Sequence, residues 1–201
     1  MQHGITAGMS AILLSMILGC GQTSAPPENR ETSAKESTST DYSGRLKAAQ
    51  SITDSGTKND ALSNLAKDAA KAGQSEIVKQ AVSGINQSGV KNPTASAAAA
   101  SLAETSEGSA ALEVASMITD SGTANEAFSS VAMAAARSAD SAVVKEAVSK
   151  INRSGIRNST AAEAAVELAK GGQADAAVEV ANLINDTALR NDTLSKIAKG
   201  E

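Results

Sequence analysis

Isoleucine recurs at Ile52, Ile85, Ile118, Ile151 and Ile184, always at the same spacing. Asparagine follows seven residues later every time, at Asn59, Asn92, Asn125, Asn158 and Asn191. Between the two columns stand Ser55-Gly56, Ser88-Gly89, Ser121-Gly122 and Ser154-Gly155, with Thr187-Ala188 as the one variant. A fixed period of this length marks a repeat architecture, in which each unit buries its apolar face only against the next.

The columns read as helix punctuation. Glycine just past an apolar helical run closes a helix by taking the left-handed conformation, and asparagine just before the next run caps its first free amides. Pro93, directly after Asn92, suits a first helical position. Each repeat then holds a first helix from about Asp60 to Lys71, a turn near Gly73, and a second helix from about Ser75 to Gln87. A lone second-type helix from about Ser43 to Thr53 and a lone first-type helix from about Asp192 to Ala198 complete a set of ten. The expected fold class is all-α, an α-solenoid of stacked antiparallel helical hairpins over residues 42–201.

A second period, twice the first, is superimposed on it, since residues 52–101 and 118–167 are identical at roughly half their positions. Where a first helix is large early (Leu62 and Leu65; Phe128 and Val131), its later core position is small (Ala69; Ala135). In the alternate repeats the order inverts: Ala95 and Ala98 precede Leu102, and Ala161 and Ala164 precede Leu168. Second helices alternate as well, Val78 and Val82 against Ala111 and Ala115, then Val144 and Val148 against Ala177 and Ala181. Large facing small in successive layers fills space without voids.

With one Phe, one Tyr and no Trp, such a core consists of Ala, Val, Leu and Ile on closely approaching helices. The unit resembles a tetratricopeptide-type repeat, with Leu65-Ala66, Ala69, Gly73, Val78, Val82 and Ile85 at that family's spacing. It lacks the family's bulky aromatics and its closing proline, so a related helical-hairpin family of similar repeat length is the alternative. Ankyrin repeats share the length, but their Thr-Pro-Leu-His signature is absent. The resemblance implies a peptide- or protein-binding concave side lined by the first helices: Lys67 and Lys71, Ala100 and Glu104, Met133 and Arg137, Val166 and Lys170, then Lys199. Lys67, Lys71, Arg137, Lys170 and Lys199 are the candidate partner-binding residues, suited to an acidic segment. A merely solvated lysine face is the alternative, since tight interfaces favour Trp, Tyr and Arg anchors.

Residues 1–19 carry an apolar run from Ile5 to Leu18, the size of a signal-peptide core and short for a membrane span. Ile17-Leu18-Gly19-Cys20 resembles the lipobox of bacterial lipoproteins. That resemblance implies removal of residues 1–19 as a signal peptide, and diacylglyceryl (palmitate-type) lipidation of Cys20. It further implies export to the cell envelope, with Gly21 directing the chain to the outer membrane where there is one. The family's amino-terminal positive charges are missing, only the terminal amine and His3 preceding the run. The alternative for Cys20 is a free buried thiol, which an exported chain with a single cysteine would carry as a liability. Residues 20–41 hold the lipidated cysteine and a linker with no aliphatic residue larger than Ala. Such a segment is expected to stay disordered, with a typical reach of roughly 25 Å and a full extension of roughly 70 Å.

A net charge of −4 without a basic run argues against nucleic acid as a partner. The single histidine, His3, falls in the segment expected to be removed, and the single cysteine is expected to be lipidated. That leaves no means for Ser-His-Asp or Cys-His catalysis, nor for a histidine- or cysteine-ligated metal. No phosphate-binding glycine loop is present and no cofactor is implied. A pair of carboxylates hydrolyses glycosides without histidine. Asp54 and Asp120, equivalent by the 66-residue period, are the pair to consider, with turn residues as their ordinary role. The expected function is therefore non-catalytic: an envelope interaction scaffold anchored in the membrane through Cys20, with a spacer lipoprotein as the alternative.

Overall fold

The computed structural model describes residues 41–201. Ten helices span them: α1 (Tyr42–Gln50), α2 (Ser55–Lys71), α3 (Ser75–Gly84), α4 (Ser88–Glu104), α5 (Gly108–Ala115), α6 (Ser121–Arg137), α7 (Ser141–Lys150), α8 (Ser154–Lys170), α9 (Ala174–Ala181) and α10 (Thr187–Lys199). The all-helical class holds, and no strand occurs among the described residues. Segment 1–19, Cys20 and the linker through residue 40 lie outside them. Asp41, assigned to the linker from sequence, is the N-cap of α1, its carboxylate accepting the Gly44 N–H at 2.8 Å.

Two sequence columns play other parts than expected. The Ser-Gly pairs open the following helix instead of closing the preceding one, so α2 begins five residues before the expected Asp60. The stop signal between helices sits upstream, at Asp54, whose carboxylate takes the Thr57 N–H at 2.8 Å. Asp120 and Asp186 cap α6 and α10 in the same way, whereas Gln87 and Arg153 provide no side-chain cap for α4 and α8. A capping side chain satisfies amides that lack a helical acceptor. Capping thus alternates with the 66-residue period.

The asparagines are not caps. Asn59 lies inside α2, and its Oδ1 accepts the backbone N–H of Asn86 at 3.1 Å. Asn92 holds Thr119 at 3.2 Å, Asn125 holds Asn152 at 3.0 Å and Asn158 holds Asn185 at 3.2 Å. Each bond serves the residue after the periodic isoleucine. There the chain has left the helix, with Ile85 and Ile151 extended at ψ 118° and 111°. The next amide has no helical acceptor, and an asparagine carbonyl supplies one, buried at Asn59, Asn92 and Asn125 and half-buried at Asn158. Pro93 is likewise internal to α4 and removes a bond from its second turn.

Between first and second helices the chain turns through a residue of positive φ: Gly73 at 65°, Ser106 at 65°, Ala139 at 61° and Gly172 at 80°. At the first of these turns Gln74 N–H reaches Ala69 O at 2.9 Å and Gly73 N–H reaches Ala70 O at 3.1 Å. That pair of bonds is the Schellman closure, which needs a left-handed residue.

No helix touches another more than two places away in the chain. α2, α4, α6, α8 and α10 pack in one succession, α1, α3, α5, α7 and α9 in another, and consecutive helices join the two. The alternating columns fill the space between. Leu62, Leu65, Ala95, Ala98, Leu102, Val131, Ala161, Ala164 and Leu168 are all essentially inaccessible, as are Val78, Val82, Ala111, Ala115, Val144, Val148, Ala177 and Ala181. A third column alternates in opposite phase: Ala81, Val114, Ala147 and Val180, also buried. Close approach is literal at Gly84, where an added Cβ would stand 2.9 Å from Leu62 Cδ1.

Candidate functional site

The candidate partner-binding residues lie on the longer helices. Lys67 and Lys71 are exposed on α2 and make no ion pair among the described residues. Arg137, the last residue of α6, lines a shallow cavity of about 340 Å³ together with Ala100, Glu104, Ser129, Ser130, Met133 and Ala134. Lys170, the last of α8, stands on the wall of a larger cavity of about 630 Å³. Lys199 is exposed near the end of α10, its Nζ 4.0 Å from Glu201 Oε1. Basic residues in the last turn of a helix also complement the partial negative charge of its free carbonyls, and Lys71, Arg137 and Lys170 all occupy such positions.

The larger cavity lies among α6, α8 and α10. Its floor combines Met133, Ala162, Val166 and Leu189, each half-buried, and Met133 also borders the smaller cavity. The two cavities therefore adjoin at one side chain. The walls hold Glu163, Glu167, Asp192 and Glu201 against Lys170 and Lys196. Asp192 and Lys196 pair at 2.8 Å, and the hydrogen bond from Lys196 to Asp192 raises the Lys196 ammonium above the usual lysine range. The stripe expected from sequence, from Lys67 and Lys71 to Lys199, is net basic. The structure adds a carboxylate-rich stretch on α8 and α10 to the same side, which that reading missed. Its signal was available in the columns, because Glu163 stands where earlier repeats have Asn64, Ala97 and Ser130.

Asp54 and Asp120 do not come together. They begin α2 and α6, two helices that share no contact and have α4 between them. Backbone hydrogen bonds from Thr57 and Thr123, followed by those residues' side chains, hold both carboxyls below the usual aspartate range. A general acid needs the opposite shift. The geometry makes both of them caps.

Ion pairs also join successive short helices, Lys79 to Glu113 at 3.1 Å and Lys145 to Glu179 at 2.7 Å. Hydroxyls join the long ones, Ser63 to Thr94 and Ser129 to Thr160, each at 2.7 Å. Since Thr94 Oγ1 donates to Val90 O, Ser63 donates to Thr94. These bonds fix adjacent helices and leave the cavity floor free. No group of three histidine, cysteine or carboxylate side chains suited to a metal occurs among the described residues, and no helix among them is long and apolar enough to cross a membrane. Cys20 lies outside the described residues. No protein-family model matches this chain, and neither does any curated protein or solved structure.

Proposed function

We propose that this chain is a non-catalytic lipoprotein, exported and anchored through lipid on Cys20, whose helical domain is an interaction scaffold in the cell envelope. In this reading the domain is a tetratricopeptide-like α-solenoid of stacked antiparallel hairpins with a 33-residue repeat. Contacts confined to helices one or two places apart support it, because stacked repeats interact only with their neighbours. The observation that carries the binding role is the apolar-floored cavity among α6, α8 and α10, continued through Met133 along α4 and α6. A concave, partly apolar surface with a few convergent polar groups is the usual form of a binding site.

The lipobox-like Ile17-Leu18-Gly19-Cys20 supports the anchor, with the outer membrane as destination in an organism that has one. The partner is a protein or peptide, with an acidic segment along Lys67, Lys71 and Arg137, and not nucleic acid. A spacer lipoprotein without a ligand is the second reading. It is favoured by the scarcity of exposed apolar side chains, Val178 being the large one among the described residues.

Intact mass and membrane partition of wild type beside Cys20→Ala test the anchor. Added lipid mass and membrane association that vanish in the variant are expected, and a soluble wild type retaining residues 1–19 would overturn it. Envelope proteins captured by wild type and by a Lys67→Glu, Lys71→Glu, Arg137→Glu variant test the scaffold. Loss of specific proteins is expected, and identical capture favours the spacer.

A further inference from the structure

The repeat columns separate residues that the fold requires from residues peculiar to one place. Glu167 occupies the column of Asp68, Ser101 and Ala134, as Glu163 occupies that of Asn64, Ala97 and Ser130. Asp68 has a partner, Arg45 Nη2 at 2.7 Å. Glu163 and Glu167 enter no ion pair among the described residues. The column of Val166 reads Lys67, Ala100, Met133, Val166, Lys199, apolar only in its middle. These departures converge on one cavity, with Met133 and Val166 in its floor and both glutamates on its wall.

The charges there do not balance. Asp192 is matched by Lys196, and Glu201 stands 4.0 Å from Lys199. Glu163 and Glu167 then face Lys170 alone. Two residues four apart on a helix hold their Cβ atoms about 5 to 6 Å from one another, a separation that one guanidinium or ammonium spans while bonding both carboxylates. Val166 lies between them in sequence and Leu189 faces it from α10, both half-buried.

We infer that the cavity among α6, α8 and α10 receives a cationic side chain of a partner peptide, held between Glu163 and Glu167, with an adjoining apolar side chain seated on Met133, Val166 and Leu189. The inference rests on the scaffold reading for the use of this face and adds the sign of charge at this end of it. The partner segment is thus basic and apolar over α8 and α10, and acidic where it passes Arg137 and the α2 lysines.

The test is fluorescence anisotropy of the full chain with two labelled octapeptides, one alternating Arg with Leu and one alternating Glu with Leu. The Arg-Leu peptide is expected to bind the more tightly and to weaken with salt. Glu163→Gln with Glu167→Gln is expected to weaken it at least about tenfold. Asp175→Asn on α9 is expected to leave it unchanged, and Lys170→Glu to strengthen it. Unchanged circular dichroism verifies that each variant is folded. Preference for the Glu-Leu peptide, no binding of the Arg-Leu peptide, or indifference to the double substitution would each overturn the inference. The readouts separate the two proposals: peptide binding that depends on Glu163 and Glu167, with no protein captured from the envelope, removes the scaffold role and leaves the cation seat standing.

Discussion

Asn125 Oδ1 accepts the backbone N–H of Asn152 at 3.0 Å, reaching from inside α6 to the second residue past the end of α7. Asn125 is only 4% exposed and its bond is part-buried, so water replaces the carbonyl poorly. Removing the carbonyl strands an amide. Asn125→Ala is expected to cost about 1–3 kcal/mol, read as a lower midpoint in urea unfolding, and to speed hydrogen exchange at the Asn152 amide. Asn158→Ala, whose bond to Asn185 is exposed, is expected to cost less. Equal losses at both sites would show that burial does not set the strength of these staples.

The turns after α4 and α6 place Ser106 and Ala139 at φ 65° and 61°, where the equivalent turns use Gly73 and Gly172. A side chain in that conformation is strained, and glycine relieves the strain at some cost in unfolded-chain entropy. Ala139→Gly is expected to stabilise the fold by about 0.5–1 kcal/mol, and Gly73→Ala to destabilise it by a similar amount. Thermal unfolding of the two variants measures both signs.

Pro93 interrupts the hydrogen bonding of α4 in its second turn, and Ser159 holds the same column in α8. An interior proline costs a helix about 3 kcal/mol relative to alanine, and serine far less. Pro93→Ser is expected to raise the melting temperature by several degrees, provided the Asn92–Thr119 bond, 3.2 Å in the native chain, survives. A lowered melting temperature would indicate that the proline is needed to position that bond.

The caps respond to pH. Thr57 and Thr123 hold the Asp54 and Asp120 carboxyls below their ordinary range, so the folded chain keeps both charges at a pH where the unfolded chain has taken up protons. Their contribution is complete above the ordinary aspartate range and is lost as pH falls through the lowered values. In an Asp54→Asn, Asp120→Asn variant the amide side chains would cap without titrating. The wild type is therefore expected to lose helicity more steeply than this variant on acidification, followed by circular dichroism. Parallel acid limbs would mean that other carboxylates dominate.

Much of the fold was legible because its restraints are periodic. The 33-residue spacing, the alternation of Leu62 and Leu65 with Ala95 and Ala98, and the turn at Gly73 all point to packed helical hairpins, and the ten helices follow. The boundaries were misread because the same residue types serve two purposes. A Ser-Gly pair fits the end of one helix as well as the start of the next; Asp54, one residue upstream, marks the start of α2, but α4 and α8 open at the same column behind Gln87 and Arg153 with no such mark. Asn59 looks like a cap in sequence, yet its partner is 27 residues away, a distance that local propensity does not register. The charge around the larger cavity was not legible from single helices: Lys170 is marked by its last-turn position in α8, while Glu163 and Glu167 become relevant only once α8 and α10 enclose a common space.

The alternation of large and small side chains also governs how such a chain tolerates insertion and deletion. Excising residues 85–117 would remove one repeat unit and bring α2 against α6, setting Leu62 and Leu65 beside Phe128 and Val131 where Ala95 and Ala98 had been, and Ala127 opposite Ser63 in place of Thr94. Bulk would meet bulk, and a buried hydroxyl would lose its acceptor. Excising residues 85–150 instead sets Leu62 and Leu65 beside Ala161 and Ala164, with Thr160 opposite Ser63, and restores each of these pairings. The change of length that this packing accommodates is therefore the double repeat.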